Sequence, residues 1–285
     1  MEKKTGQRIA VFLILIGLLV LSAYIGWRQL GWLFSLGTSG SREQSEEQAP
    51  QEQTVEEPFD EICVEVDVGE IVLQRGKRYQ CETFWSGADY AMETTVEDGK
   101  LTVVSRVQGK LHLNVQGNDG QVKITVPEDA VLGDVTLSSG IGSITVDGAD
   151  GLEMSELDIQ TDLGGVEIKD MRCETLDCTS GMEEIRLERL TAEDISCTAD
   201  MGDISALKVN SQEVELHADM GNIFLKTQDK ESACKYDLKT DLGEVIVNGQ
   251  SRGTKTTGGS GSRSLNMTTN MGDIELEFQK NERKR

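Results

Sequence analysis

One ten-residue phrase recurs along this chain, and its recurrence constrains the fold more than any other feature. The gapless copies are LSSGIGSITV (137–146), IQTDLGGVEI (159–168), CTSGMEEIRL (178–187), CTADMGDISA (197–206), LHADMGNIFL (216–225), LKTDLGEVIV (238–247) and MTTNMGDIEL (267–276). An earlier echo, VEVDVGEIVL, occupies 64–73. The aligned glycine-site residues stand at 142, 164, 183, 202, 221, 243 and 272, giving steps of 22, 19, 19, 19, 22 and 29 residues. Near-constant spacing means one structural unit per copy.

Within a copy, apolar positions such as Ile159, Val166 and Ile168 alternate with polar ones such as Gln160 and Glu167. That alternation marks strands with one buried and one wet face. A single copy cannot bury its apolar row alone, so copies must stack, their strands pairing in parallel at about 4.8 Å per rung. The expected fold is therefore all-β, a parallel β-helix or β-solenoid. Two inward ladders follow from the alignment: Leu137, Ile159, Cys178, Cys197, Leu216, Leu238 and Met267, and Ile144, Val166, Ile185, Ile204, Ile223, Val245 and Ile274. Between them lies a turn, in which Asp162, Asp200, Asp219, Asp241 and Asn270 are expected to bond nearby backbone amides. Gly142, Gly164, Gly202, Gly221, Gly243 and Gly272 are the repeat-turn glycines, suited to positive φ. One copy departs: Gly181 takes the Asp place and Glu183 the Gly place, which predicts a strained or differently shaped corner.

Upstream of the repeats, from Phe59, short alternating segments such as ICVEV, EIVL, KLTVV, LHLNV and VKITV read as strands. Asp98-Gly99 reads as a tight hairpin turn, which makes the 79–126 stretch partly antiparallel. Nearer the N-terminus, Ile9–Trp27 carries no charge and as a helix would cover roughly 29 Å, one bilayer core. Lys3, Lys4 and Arg8 precede it, so the N-terminus is expected in the cytoplasm and the bulk of the chain outside a single-pass cell-membrane anchor. A cleaved signal peptide is the rival reading, although Leu21 suits the −3 position poorly. Residues 37–58 are polar and Glu/Gln-rich, too poor in apolar side chains to offset the entropy of ordering, which predicts a flexible acidic stalk. The resulting organisation is a cytoplasmic end (1–8), an anchor (9–36), the stalk (37–58), an N-terminal β region (59–136), the solenoid (137–278) and a charged tail (279–285).

The repeated T-D-x-G-x-I-x-V phrase, the VKITVPED segment at 122–129 and the ending GGSGSRSLNMTTNMGDIEL carry a resemblance. Over roughly 59–278 the chain resembles the bacterial "putative adhesin" β-strand-repeat family, a domain of unknown function with LiaG-like envelope-stress members. The resemblance implies a β-helical ectodomain, right-handed, on a single anchor. It lends no biochemical activity, because fold membership names no ligand.

Fifty acidic against 28 basic residues give a formal charge of −22, which repels nucleic-acid phosphates and excludes that class of partner. Catalysis is not expected either. The two histidines, His112 and His217, fall in unrelated segments, and no basic residue recurs beside the Asp row. Adjacent-rung carboxylates suit a retaining glycosidase geometry, but every copy offers the same pair. No cofactor is implied. Stacked Asp162, Asp200, Asp219 and Asp241 would repel at about 0.9 kcal/mol per adjacent pair in water, and Ca²⁺ would relieve that, although the calcium β-roll nonapeptide is missing. Six cysteines show no dense disulfide pattern; Cys178 and Cys197 read as buried thiols, while Cys63 and Cys81, in neighbouring strands, are the pair expected to bridge. Two functional classes remain: a structural or adhesin-like surface module meeting a cell-wall polymer or envelope protein, and an accessory of envelope-stress signalling.

Overall fold

The structure is a computed structural model that describes residues 51–86, 90–107 and 120–279. The expected anchor at Ile9–Trp27, the first part of the stalk, His112, the LHLNV segment and the charged end after Gln279 lie outside the described residues. The strands, in chain order, are β1 (Gln51–Val55), β2 (Glu61–Val68), β3 (Glu70–Gly76), β4 (Gln80–Trp85), β5 (Tyr90–Glu97), β6 (Lys100–Val107) and β7 (Gly120–Pro127). They continue with β8 (Val131–Ile141), β9 (Ile144–Leu163), β10 (Val166–Ser180), β11 (Ile185–Thr191), β12 (Asp194–Met201), β13 (Ile204–Val209), β14 (Glu213–Met220) and β15 (Ile223–Thr227). Last come β16 (Cys234–Leu242), β17 (Val245–Val247), β18 (Gln250–Ser251), β19 (Lys255–Gly259), β20 (Arg263–Met271) and β21 (Ile274–Glu277).

Two parallel ladders organise them. In the first, register runs Val103, Val64, Leu137, Ile159, Cys178, Cys197, Leu216, Met267, Leu238. In the second it runs Val122, Ile71, Ile144, Val166, Ile185, Ile204, Ile223, Ile274, Val245. All of these side chains are buried, in one hydrophobic cluster that extends the length of the stack. The inward faces are thus as the alternation predicts, and the fold is an all-β, solenoid-like stack of rungs.

The order of rungs departs from the order of the chain at both ends. The 267–276 copy does not cap the stack after 238–247; it slides between the 216–225 and 238–247 copies. At the other end, the 64–73 copy lies between the β6/β7 rung and the 137–146 copy. No break therefore separates 59–136 from the repeats: the N-terminal region supplies rungs of the same stack.

Each end is finished by antiparallel strands. The Asp98-Gly99 hairpin forms as predicted, pairing β5 with β6 through residues at φ 51° and 82°. β4 pairs antiparallel with β7, and β1 with β4. The five residues of β1 correct the stalk boundary, because QEQTV of the 37–58 segment is a strand rather than flexible chain. Its burial is slight, so ladder hydrogen bonds hold it, helped by half-buried Val55 packing against the core. At the far end β19 pairs antiparallel with β16, and β18 with β17.

The irregular steps in the sequence have visible causes. The 22-residue step from 142 to 164 carries a loop-out, since Asp147 faces Lys169 while Leu152 faces Met171. The steps of 22 and 29 around residue 243 accommodate the 3-10 turn Glu231–Ala233, which leads out to the terminal rung, and the β18/β19 segment, which leads back. Arg263, reaching Asn210 and pairing with Asp229, fastens the returning rung in its slot.

Candidate functional site: the repeat corner

The repeat phrase builds one corner, stacked rung on rung. Its glycines are required first by proximity. A Cβ on Gly221 would lie 2.0 Å from the Gly202 carbonyl oxygen, on Gly272 2.0 Å from that of Gly221, and on Gly243 2.0 Å from that of Gly272. Gly142, Gly164 and Gly202 meet backbone carbonyls at 2.1, 2.1 and 2.3 Å. Positive φ is added only at some of them, such as Gly142 at 147° and Gly272 at 152°. The predicted reason, tolerance of positive φ, is thus secondary to the close passage of neighbouring backbones.

Three residues before the glycine sits a position the sequence reading passed over. Ser139, Thr161, Ser180, Thr269 and Thr240 are buried, and each hydroxyl donates to the glycine-site carbonyl of the preceding rung: Gly69, Gly142, Gly164, Gly221 and Gly272, at 2.9, 3.2, 3.2, 2.9 and 2.8 Å. Ala199 and Ala218 fill the same place without a hydroxyl. One residue after the glycine is a second missed row. Asp203 Oδ1 accepts from the Asn222 amide at 2.7 Å, Asn222 Oδ1 from the Asp273 amide at 2.9 Å, and Asp273 Oδ1 from the Glu244 amide at 2.8 Å. These residues do the amide bonding expected of Asp162, Asp200, Asp219 and Asp241. The signal lay in the recurrent G-D/N dipeptide.

The expected aspartate row is exposed, but the stack does not gather it. Gly181 separates Asp162 from Asp200, and Asn270 separates Asp219 from Asp241, donating to Asp219 at 2.8 Å. Asp200 and Asp219 alone of the four are rung neighbours. Among the described residues no group of three or more His, Cys, Asp or Glu is placed to hold a metal ion. The departing copy shapes its corner differently, as predicted. β10 stops at Ser180, whose hydroxyl also donates to the Glu183 carbonyl at 2.8 Å, and Glu183 does not adopt positive φ.

Between the aspartate row and the glycine lies a position that strict alternation would turn inward. At the bend it stays outside instead. Leu163, Met182, Met201, Met220, Met271 and Leu242 are 42, 49, 40, 42, 45 and 67% exposed. Half-buried Val68 and Ile141 extend the line, with Val68 facing Ile141, Ile141 facing Leu163, Met201 facing Met220, Met220 facing Met271 and Met271 facing Leu242. Met182 stands in the bend of the departing copy, outside the paired strands, between the Leu163 and Met201 rungs; from Val68 to Leu242 the rungs make seven steps, an apolar ridge roughly 34 Å long. In the sequence this position looked like a variable place in the phrase, although every copy fills it with an apolar residue.

Elsewhere the chemistry is quiet. Cys81 and Cys173 are pushed up to about 12 and Cys234 to about 11, chiefly by burial, so these thiols stay protonated and unreactive at neutral pH. Cys178 is raised as well, first by its hydrogen bond with Cys197 and then by burial, and both are buried free thiols as predicted. The expected Cys63–Cys81 bridge is absent: Cys81 points into the core while Cys63 alternates with the buried Ile62 and Val64, so the two thiols face different ways. His217 contacts Thr268 Oγ1 at 2.8 Å and Asp219 Oδ1 at 3.2 Å, on the outer face of its strand. Asp158 is raised by desolvation among its neighbours, then by Asp177 and Glu156. An open cleft of about 540 Å³ near the C-terminal end is lined by Glu231, Asn248 and Phe278, but the Glu231 carboxylate already accepts from Tyr236 and Asn248.

The family model described as Toastrack DUF4097 matches residues 59–276. The chain belongs to the Toastrack family. The comparison with curated proteins finds no match. Among solved structures, a "putative adhesin" of Bacteroides fragilis is 16% identical with a TM-score of 0.52, covering 81% of this chain and 97% of its own. A "putative cell adhesion protein" of Clostridium sporogenes is 12% identical at 0.41, covering 81% and 100%. A "putative lipid binding protein" of Parabacteroides distasonis is 16% identical at 0.40, covering 81% and 97%. The first shares the fold; the other two are too distant in shape to carry an argument. The Toastrack match spans the β6/β7 rung as well as the repeats, in keeping with a single stack.

Proposed function

We propose that this chain is a non-catalytic binding module of the cell envelope, anchored in the membrane and holding its stack outside the cell against a wall polymer or an envelope protein. The observation that carries this reading is the outer face of the first ladder. Gln160, Thr179, Thr198, His217, Thr268 and Lys239 form one straight polar row across successive rungs. Rows repeating at about 4.8 Å suit an extended, repetitive partner better than a small substrate. The uncharged run Ile9–Trp27 and the basic residues before it support the anchor and its orientation. The protonated core thiols and the already satisfied Glu231 favour binding over catalysis.

The test is binding of the full chain to a panel of glycans and purified wall polymers. Retention of at least one polymer, lost when Thr179 and Thr198 are both replaced by Glu, is the expected result. A chain that retains nothing on the panel ends the wall-polymer reading. Exchange of residues 1–36 for an unrelated anchor leaves binding intact under this proposal, whereas a signalling accessory acting through its membrane helix loses its effect.

A further inference from the structure

We infer that the apolar ridge at the repeat corner is a docking surface for a basic amphipathic segment of a second protein. This rests on the reading of the chain as a binding module and names a partner for a different face of it. Met201, Met220, Met271 and Leu242 project in register from rung to rung, with Met182 at the neighbouring bend and Leu163 beyond it, all at 40–67% exposure where a well-packed rung would hide them. A contiguous apolar strip of this length on a protein surface marks an interaction site. Its methionines, unbranched and polarisable, adapt to varied apolar partners.

The charges beside the ridge choose the occupant. On one side stand the exposed Asp162, Asp200, Asp219 and Asp241; on the other stand Asp203, Asp273 and Glu244. Asp219 is next to His217 and Asp241 pairs with Lys239, but Asp162, Asp200, Asp203 and Asp273 form no ion pair among the described residues. An apolar strip bordered by acid on both flanks complements a helix whose apolar stripe is bordered by Lys and Arg on both flanks. At about 1.5 Å per residue, a segment of roughly twenty residues spans the ridge, and its turns of about 5.4 Å run close to the rung spacing. A second copy of this chain would bring acid rows against acid rows. An anionic bilayer would be repelled in the same way.

The experiment uses the full chain in phosphatidylcholine nanodiscs, with empty nanodiscs as the blank. The probe is a twenty-residue Leu/Lys peptide with leucines at helical period, followed by fluorescence anisotropy. Saturable binding is expected, at least tenfold weaker for the triple variant Met201→Gln, Met220→Gln, Met271→Gln, whose sites are exposed and whose melting should be unchanged. The pair Asp162→Asn and Asp200→Asn should weaken binding severalfold at low salt and hardly at all at 0.5 M. Equal binding of a scrambled Leu/Lys peptide, or indifference to the methionine variant, overturns the inference. So does self-association of the peptide-free chain, or binding to phosphatidylcholine vesicles, that the methionine variant abolishes. Because the triple variant leaves the polar row of the first ladder untouched, its behaviour on the polymer panel separates failure of this inference from failure of the binding-module reading.

Discussion

The middle of the stack and its two ends are built from the same phrase under different rules. From Leu137 to Leu225 each rung lies on the one before it in sequence, with the 19-residue step nearly constant. At the C-terminal end the chain goes past the next slot, lays down the outermost rung and returns to fill the gap; at the N-terminal end it lays the inner rung first, then the outermost, then crosses to the far side of the inner one, so that the first and last copies are each held between neighbours. The middle therefore behaves as a sum of nearest-neighbour terms. Each end is an interlocked unit, in which an outermost strand meets only antiparallel partners beyond it.

The largest effect separates those two regimes. Deleting the interior unit 192–210 joins equivalent points of adjacent rungs and should leave a cooperative stack with a modestly lower Tm. Removing residues 261–285 takes away the rung beneath β16 and β17 and should unseat 234–259 altogether. Hydrogen exchange checks this: amides of 234–247 lose protection in the second variant, while those flanking the deletion keep it in the first.

Next come the glycines. Gly221→Ala places a methyl group 2.0 Å from a carbonyl oxygen that its own rung holds still, so a loss of about 3 kcal/mol or more is expected in urea unfolding. Gly253→Ala, in the end hairpin, meets nothing within 4 Å and pays only for φ of 80°, about 1 kcal/mol. Equal losses would erase the contrast.

Smaller again is the hydroxyl row. Thr269→Val leaves the Gly221 carbonyl without its donor and should cost about 1–2 kcal/mol in the same measurement. Ala218→Ser supplies the donor that this rung and the Ala199 rung lack and should gain up to about 1 kcal/mol.

The smallest effect is electrostatic. Desolvation, with Asp177 and Glu156, raises the Asp158 carboxyl, so the folded state holds this proton more tightly than the unfolded state. Its contribution to stability is complete below the ordinary aspartate value of 3.8 and is lost as pH rises through the raised value. Asp158→Asn should thus raise Tm slightly at pH 7, with the gain vanishing in acid. Asp237→Asn should do less, because at that end Asn266 already stands between Asp237 and Glu215.

Much of the architecture was legible because burial writes a period into sequence. Ile159 and Val166 alternate with Gln160 and Glu167, and only stacking hides such a row when the unit is this short. Asp98-Gly99 announced its hairpin because few other dipeptides accept two left-handed residues in succession. The corner was read less well. Position by position, Asp162 looked like the amide acceptor, yet that role belongs to Asp203, Asn222 and Asp273, whose partners sit on the next rung and so leave no local trace. The left-handed residues Asp170, Arg189 and Lys208, spaced by 19 at the opposite bend, escaped notice because none is glycine.

The sequence by itself determined the unit, its inward face and the need to stack, since those follow from alternation and from the inability of one copy to bury its own apolar row. Tertiary structure decided which copy lies on which. In chain order, Glu215 would neighbour Asp237 and Asp219 would neighbour Asp241; the inserted rung places Asn266 and Asn270 between them. Each avoided contact of like charges is worth about 0.9 kcal/mol in water. Parallel strands with similar apolar rows pair almost equally well in any order, so that choice falls to charge neighbours, backbone clearance at the glycines and the connecting segments, none of which exists until the rungs meet.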